Sequence, residues 1–226
     1  MYLNPKQIAA EKAVEYVKDG MVIGLGTGST AEFAVKKIGQ LVNDGLDIIG
    51  ISTSRQTEKL AKECGIKLST LDEHGKIDVT IDGADEVDPD FNLIKGMGGA
   101  LLWEKIVASN SRIEIIVTDN TKNVNMIGTK SPLPVEVVKF GWKTTSNKLK
   151  KLGCAPSIRM FGNTTYTTDS GNYILDCSFK PNGIKNANDT EQRINNTPGV
   201  VENGLFIDLT DIVIIGSEKG TEIKKK

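Results

Sequence analysis

The chain has 226 residues, 38% of them hydrophobic and 25% charged, with a formal net charge of −1. That length can bury a large core as one domain or two modest ones. The near-neutral balance favours neither nucleic acid nor an anionic membrane surface as a partner. No apolar run approaches the roughly 20 residues a membrane helix needs, and Met1 to Glu11 lacks the apolar stretch of a secretory leader. Cys64, Cys154 and Cys177 are odd in number and far apart in sequence, which argues against a disulfide framework and for a reducing, cytoplasmic home.

Asn4-Pro5 reads as an N-cap followed by a first-turn proline, opening a helix with Ile8, Ala9, Ala13, Val14 and Val17 on its apolar face. Val22–Leu25 is a short buried strand by composition, and its glycine loop runs into a helix carrying Phe33, Ala34, Ile38 and Leu41. Next come a strand at Ile48–Ile51, a helix around Thr57–Glu63 and a strand at Ile77–Ile81. A helix after Gly99 carries Leu101, Leu102, Ile106 and Val107, and Ile113–Val117 is another strand. This alternation predicts a parallel sheet covered on both faces.

The pattern changes after Lys130, where Pro132 and Pro134 punctuate a linker or edge entry. A strand near Val135–Val138, a helix near Asn147–Leu152, strands near Ser157–Met160 and Tyr173–Phe179, a helix near Asp189–Asn195 and a strand near Val200–Glu202 follow. That is the order of a ferredoxin-like split βαβ unit. Asp211–Ile215 is again continuously apolar and rejoins the first sheet. The expected architecture is α/β: a Rossmann-like parallel-sheet domain over 1–130 plus 204–226, with a smaller ferredoxin-like α+β domain over 131–203, a lid or oligomerisation unit inserted before the last strands. The tail Glu222–Lys226 reads as a solvated, frayed terminus.

Two linked segments carry the chemistry. Ile81-Asp82-Gly83-Ala84-Asp85-Glu86 and Lys95-Gly96-Met97-Gly98-Gly99, with Glu104 shortly after, bring carboxylates, an ammonium and a glycine backbone within about two dozen positions. Such a set suits proton shuttling beside an anionic substrate, one carboxylate taking a proton while a cation steadies the developing oxyanion. Upstream, Gly24-Leu25-Gly26-Thr27-Gly28-Ser29-Thr30 follows a strand and opens a helix, so its amides can hold a phosphate. It is not the dinucleotide fingerprint, since Gly28 arrives one position early and Ser29 stands where the third glycine belongs. It also lacks the Gly-Lys-Ser/Thr of a P-loop.

Each feature has a plainer reading: a tight strand-to-helix turn, turn-forming acids, a helix-dipole role for Glu104, a surface lysine at Lys122. Among the acids, Glu86, Asp88 and Asp90 are expected to face solvent. A hard-cation site is the rival use of that cluster, with Lys95 competing for the same carboxylates. His74, the only histidine, lies in a polar turn and reads as solvated.

The motifs Gly24–Thr30, Asp82-Gly-Ala-Asp85-Glu86-Val-Asp88, Lys95-Gly-x-Gly-Gly99, Glu104-Lys105-Ile106 and Val201-Glu-Asn-Gly-Leu-Phe206 together resemble the type A family of ribose-5-phosphate isomerases, in order along nearly the whole chain. The resemblance implies interconversion of ribose 5-phosphate and ribulose 5-phosphate in the non-oxidative pentose phosphate pathway. It implies neither cofactor nor metal, and assembly as a homodimer or homotetramer. By resemblance, substrate contacts fall to Thr27, Gly28, Ser29 and Thr30, to Asp82, Gly83, Ala84 and Asp85, to Lys95, Gly96, Met97 and Gly98, and to Lys122. The catalytic set is Glu104 as proton acceptor with Asp82, Asp85 and Lys95.

Three positions depart from the family pattern. Met97 stands where a glycine or basic residue is common, Trp103 often corresponds to arginine, and Thr118–Lys122 differs from the usual acidic-serine-lysine wording. Two other classes compete: a sugar-phosphate-binding regulator without catalysis, and a nucleotide-dependent transferase or dehydrogenase using the first glycine loop.

Overall fold

The computed structural model describes residues 4–226; the first three positions of the N-terminal reading lie outside them. In chain order the elements begin with α1 (Pro5–Val14), β1 (Val22–Leu25), α2 (Ala31–Asn43), β2 (Ile49–Ser52), α3 (Arg55–Glu63) and β3 (Val79–Gly83). Next come β4 (Glu86–Val87), β5 (Leu93–Ile94), α4 (Leu101–Ser109), β6 (Glu114–Asp119) and a 3-10 turn, Asn120–Lys122. Then follow β7 (Leu133–Val137), α5 (Trp142–Lys150), β8 (Ala155–Ile158), β9 (Met160–Phe161), β10 (Thr164–Thr165), β11 (Tyr173–Ser178) and α6 (Ala187–Asn195). The last are β12 (Val200–Asn203), β13 (Leu205–Phe206), β14 (Ile212–Ser217) and β15 (Gly220–Lys225). Two compact units emerge, one of residues 1–84, 103–122 and 209–226, the other of 85–102 and 123–208. The segment 85–102 thus belongs with the second unit, a division the run of elements along the sequence does not mark.

The first unit is built on a six-stranded sheet in the order β15-β14-β6-β3-β1-β2, parallel except for β15. Alternation along β1 sorts the two faces. Ile23 and Leu25 join the main core with Ala9, Ala13, Ile38, Ile81 and Ile115, whereas Val22 packs with Ile51, Ile77 and Val107 of α4. Helices therefore cover both faces. The connection after β1 leads to one face and α4 packs on the other, so β1 and β3 flank a switch point, where open α/β sheets take their ligands.

The N-terminal helix starts as expected: Asn4 Oδ1 accepts the Lys6 amide at 3.1 Å and Pro5 occupies the first turn. Its start lies hard against β14, for the Pro5 carbonyl occupies space that a Cβ on Gly216 would need. The C-terminal tail corrects the expectation of a frayed end. β15 pairs with β14 from Ile212↔Lys225 to Ser217↔Gly220. The return is made by a tight turn in which the Ser217 hydroxyl donates to the Gly220 carbonyl, and lysines and Glu222 on this outermost strand discourage further pairing.

The second unit has an antiparallel sheet in the order β12-β7-β11-β8, a small β13-β5-β4 sheet and the β9–β10 hairpin. Leu133, Val135 and Val137 of β7 and Leu175 and Cys177 of β11 turn one face of the larger sheet onto Leu149 of α5 and Ile194 of α6. Pro134 is no linker residue but part of β7, an interior strand. The proline is tolerated because its carbonyl still accepts Gly204 N at 2.8 Å, while the Gly204 carbonyl takes the Lys95 amide instead.

Candidate functional site

The loop after β1 and the end of β3 approach closely. Gly26 N donates to the Ile81 carbonyl at 3.0 Å, and Thr27 N donates to Asp82 Oδ1, also at 3.0 Å. The same oxygen accepts Gly83 N at 2.7 Å. A Cβ at Gly26 would lie 2.4 Å from Asp82 Oδ1 and 2.5 Å from Asp82 Cα, so only glycine permits this approach. Asp82 is 1% exposed, which means the end of the strand buries a carboxylate against backbone amides. Gly28 and Ser29 stand exposed beyond it, and Thr30 is buried at the start of α2.

The Thr27 hydroxyl turns inward. It lies 2.7 Å from the Thr53 hydroxyl, 2.8 Å from that of Ser54 and 3.1 Å from that of Thr57. Thr57 Oγ1 in turn donates to the Gly26 carbonyl at 2.9 Å, and Thr53 Oγ1 to that of Leu25 at 3.0 Å. This buried hydroxyl cluster pins the loop from below. No motif in the sequence announces it, because Thr53, Ser54 and Thr57 belong to the connection after β2.

Nor does any motif single out Lys6. Seated on α1 against β14, its ammonium donates to Ser29 Oγ at 2.9 Å. Beside it, Asp119 ends β6. Burial pushes the Asp119 carboxyl up, but hydrogen bonds from the Thr121 hydroxyl and amide, with the charges of Lys6 and Lys122, outweigh burial and hold it below its usual range. A cleft of about 610 Å³, lined by Lys6, Asp119, Asn120, Thr121, Ser217 and Lys219 among others, opens there. The first unit thus groups the loop, Asp82, Gly83, Lys6 and, through Asp119, Lys122 at the carboxyl edge of its sheet. Ala84 follows Gly83 half-buried, and Glu104, 5% exposed, stands in the first turn of α4.

In the second unit Asp85 Oδ2 accepts Met97 N at 3.0 Å. Lys95 is 2% exposed, its amide donating to the Gly204 carbonyl at 2.9 Å and its ammonium 5.4 Å from the centre of the Phe206 ring. The Val201–Phe206 motif therefore serves to seat the lysine. Gly96 is buried, while Met97 and Gly98 are exposed at the tip of the loop. Glu86 departs from the solvent-facing expectation: it is fully buried and accepts the amides of Gly128, Lys130 and Ser131. A carboxylate meeting three backbone donors can be buried in a way that a surface acid is not. Asp88 caps its own turn through the amides of Asp90 and Asn92. His74 is half-exposed. Among the described residues, no group of three or more His, Cys, Asp or Glu is placed to hold a metal ion, and no helix is long and apolar enough to cross a membrane.

An open α/β sheet whose first glycine loop lies beside a buried carboxylate belongs to a class of arrangement that can take a small anionic ligand at the sheet's carboxyl edge. Residues 49–220 match the family model described as ribose 5-phosphate isomerase A (phosphoriboisomerase A), and the chain belongs to that family. It is 49% identical over 218 residues to the ribose-5-phosphate isomerase A of Bacillus mycoides (strain KBAB4), covering 96% of this chain and 98% of that one. The solved structure of ribose 5-phosphate isomerase A from Methanocaldococcus jannaschii superposes with a TM-score of 0.93 at 41% identity, covering 98% of both chains. A D-ribose-5-phosphate isomerase solved in complex with phospho-erythronic acid gives a TM-score of 0.95 at 40% identity, over 99% of this chain and all of that one.

Proposed function

We propose that this protein interconverts D-ribose 5-phosphate and D-ribulose 5-phosphate through an enediol(ate), as its family name implies. The observation that carries the reading is the shared Asp82 Oδ1, which ties the phosphate-type loop to a buried carboxylate through Thr27 N and Gly83 N. The substrate phosphate takes the outer amides and hydroxyls of Gly28, Ser29 and Thr30, with Lys6 as counter-charge. Asp82 or Asp85 moves the hydroxyl proton that opens the sugar ring. Glu104 then abstracts the C2 proton of the aldose and returns it at C1. Lys95 and the amides after it stabilise negative charge on the C1 and C2 oxygens, and Lys122 contacts a hydroxyl or the phosphate. The phospho-erythronate bound by a relative at 40% identity supports a phosphorylated, acyclic ligand.

The finer architectural readings stand as proposals too. The mostly parallel main sheet supports a Rossmann-like assignment, and the β12-β7-β11-β8 order supports a ferredoxin-like one for the smaller sheet. That smaller unit is read as a lid or an oligomerisation module, the assembly as a homodimer or homotetramer, and the location as cytoplasmic. Replacing Glu104 by Gln keeps shape and removes basicity, so kcat should fall by about 10²–10⁴, the size of a positioned general base. Near wild-type turnover would remove Glu104 from that role.

A further inference from the structure

The loop that presents Lys95 is gripped from one side by a guanidinium. Arg159, just after β8, donates from Nη1 to the Gly96 carbonyl at 2.7 Å and to the Met97 carbonyl at 3.1 Å. The rest of its fork is spent on Asp176 of β11, with Nε 3.0 Å from Oδ2 and Nη2 on Oδ1. Both side chains are largely buried, 11% and 18% exposed, and the carboxylate belongs to an interior strand. Tyr166 completes the grip: its hydroxyl reaches the Gly98 carbonyl at 3.4 Å, and a Cβ at Gly99 would lie 2.1 Å from that hydroxyl.

Three successive carbonyls, those of Gly96, Met97 and Gly98, are thus turned to Arg159 and Tyr166. In a trans peptide the C=O and the following N–H point opposite ways. The Gly96–Met97 peptide is held at both ends, by Arg159 on its oxygen and by Asp85 on its N–H. By the same rule the Gly98 N–H is aimed away from the guanidinium.

We infer that Arg159, anchored by Asp176 and aided by Tyr166, is a positioning residue that fixes the Lys95–Gly99 loop so that its lysine and amides are set for the oxyanion. The kinetic consequence rests on the isomerase reading. A misplacement of about 1 Å costs on the order of 10²-fold in rate. The phosphate loop lies in the other unit, so an effect confined to the lysine loop should lower kcat and leave KM for ribose 5-phosphate within a few-fold.

The test compares Arg159→Met, Arg159→Lys and Asp176→Asn with wild type, alone and with Lys95→Met. Arg159→Met should lose about 10- to 100-fold in kcat, with Arg159→Lys and Asp176→Asn in between. In the Lys95→Met background Arg159→Met should cost clearly less than it does alone, since the lysine is one of the groups that Arg159 sets. Unchanged kcat in folded Arg159→Met, or a full independent loss on top of Lys95→Met, overturns the inference. Amide hydrogen exchange across residues 96–99 keeps the test open whatever the activity. Exchange should quicken there in Arg159→Met, or in Asp176→Asn if the first variant does not fold, while β7 and β11 stay protected. Unchanged exchange contradicts the grip. A wild type that exchanges as expected but converts no ribose 5-phosphate instead refutes the isomerase reading alone.

Discussion

Gly26→Ala is the sharpest single perturbation of the fold at the proposed phosphate site. The new Cβ would stand 2.4 Å from Asp82 Oδ1, 2.5 Å from Asp82 Cα and 2.5 Å from the Ile81 carbonyl. Carbon contacts are comfortable near 3.5–4.0 Å, so the loop and the end of β3 must part by about 1 Å. Two of the three atoms are backbone and cannot swing aside. Parting them breaks the Gly26 N to Ile81 hydrogen bond and the Thr27 N to Asp82 hydrogen bond. The first contributes about 1 kcal/mol and the second, to a charged acceptor, about 1.5–3 kcal/mol. Overpacking adds about 1–3 kcal/mol. The sum, about 3.5–7 kcal/mol, is a large share of a typical 5–15 kcal/mol stability. Urea unfolding followed by circular dichroism reads that loss. Where the variant stays folded, affinity for inorganic phosphate should weaken as well. A variant within about 1 kcal/mol of wild type and equal in phosphate affinity would mean that the β1 loop and Asp82 do not meet as described.

Two more outcomes follow from charge placement. Lys6→Met removes the ammonium beside Ser29. KM for ribose 5-phosphate should rise roughly ten- to hundredfold with kcat little changed, the signature of a lost charge-assisted contact to a non-reacting group; an unchanged KM in steady-state assays would take Lys6 out of the phosphate site. Glu136 of β7 is 1% exposed, and burial raises its carboxyl above the ordinary 4.5 despite hydrogen bonds from Asn172 and Thr168. The folded protein therefore holds this proton to higher pH than the unfolded chain does. Its contribution to stability is complete below 4.5 and declines as pH climbs through the folded value. Measured by urea unfolding from below 4.5 to neutrality, wild type should lose ground to Glu136→Gln as pH rises. A difference between the two that stays constant would contradict the burial argument.

What could be read from the sequence was whatever repeats locally. β1, β6 and β14 are built on unbroken apolar runs because the sheet is covered on both faces, and α1 carries its own cap in Asn4 and Pro5. The glycine loop and the Asp82–Asp85 segment were legible because their residue types are unusual in density. Features made by distant residues were not. Lys6 acquires meaning only when α1 lies on β14. The hydroxyls around Thr27 come from the far side of β2, and Arg159 is more than fifty residues from the loop it holds. The two-residue strands β4, β5 and β13 are too short to show a period. Glu86 looked like one more surface acid because nothing nearby reveals the three amides that converge on it from 128–131. In β15 the charges that suggested fraying are those that protect an edge strand.

The central claim is tested most directly by mixing the purified protein with ribose 5-phosphate and excess EDTA and following ketose formation by absorbance. Rapid, chelator-resistant conversion is expected. A folded protein that binds phosphate yet forms no ketose would contradict it and favour a sugar-phosphate-binding regulator built on the same sheet.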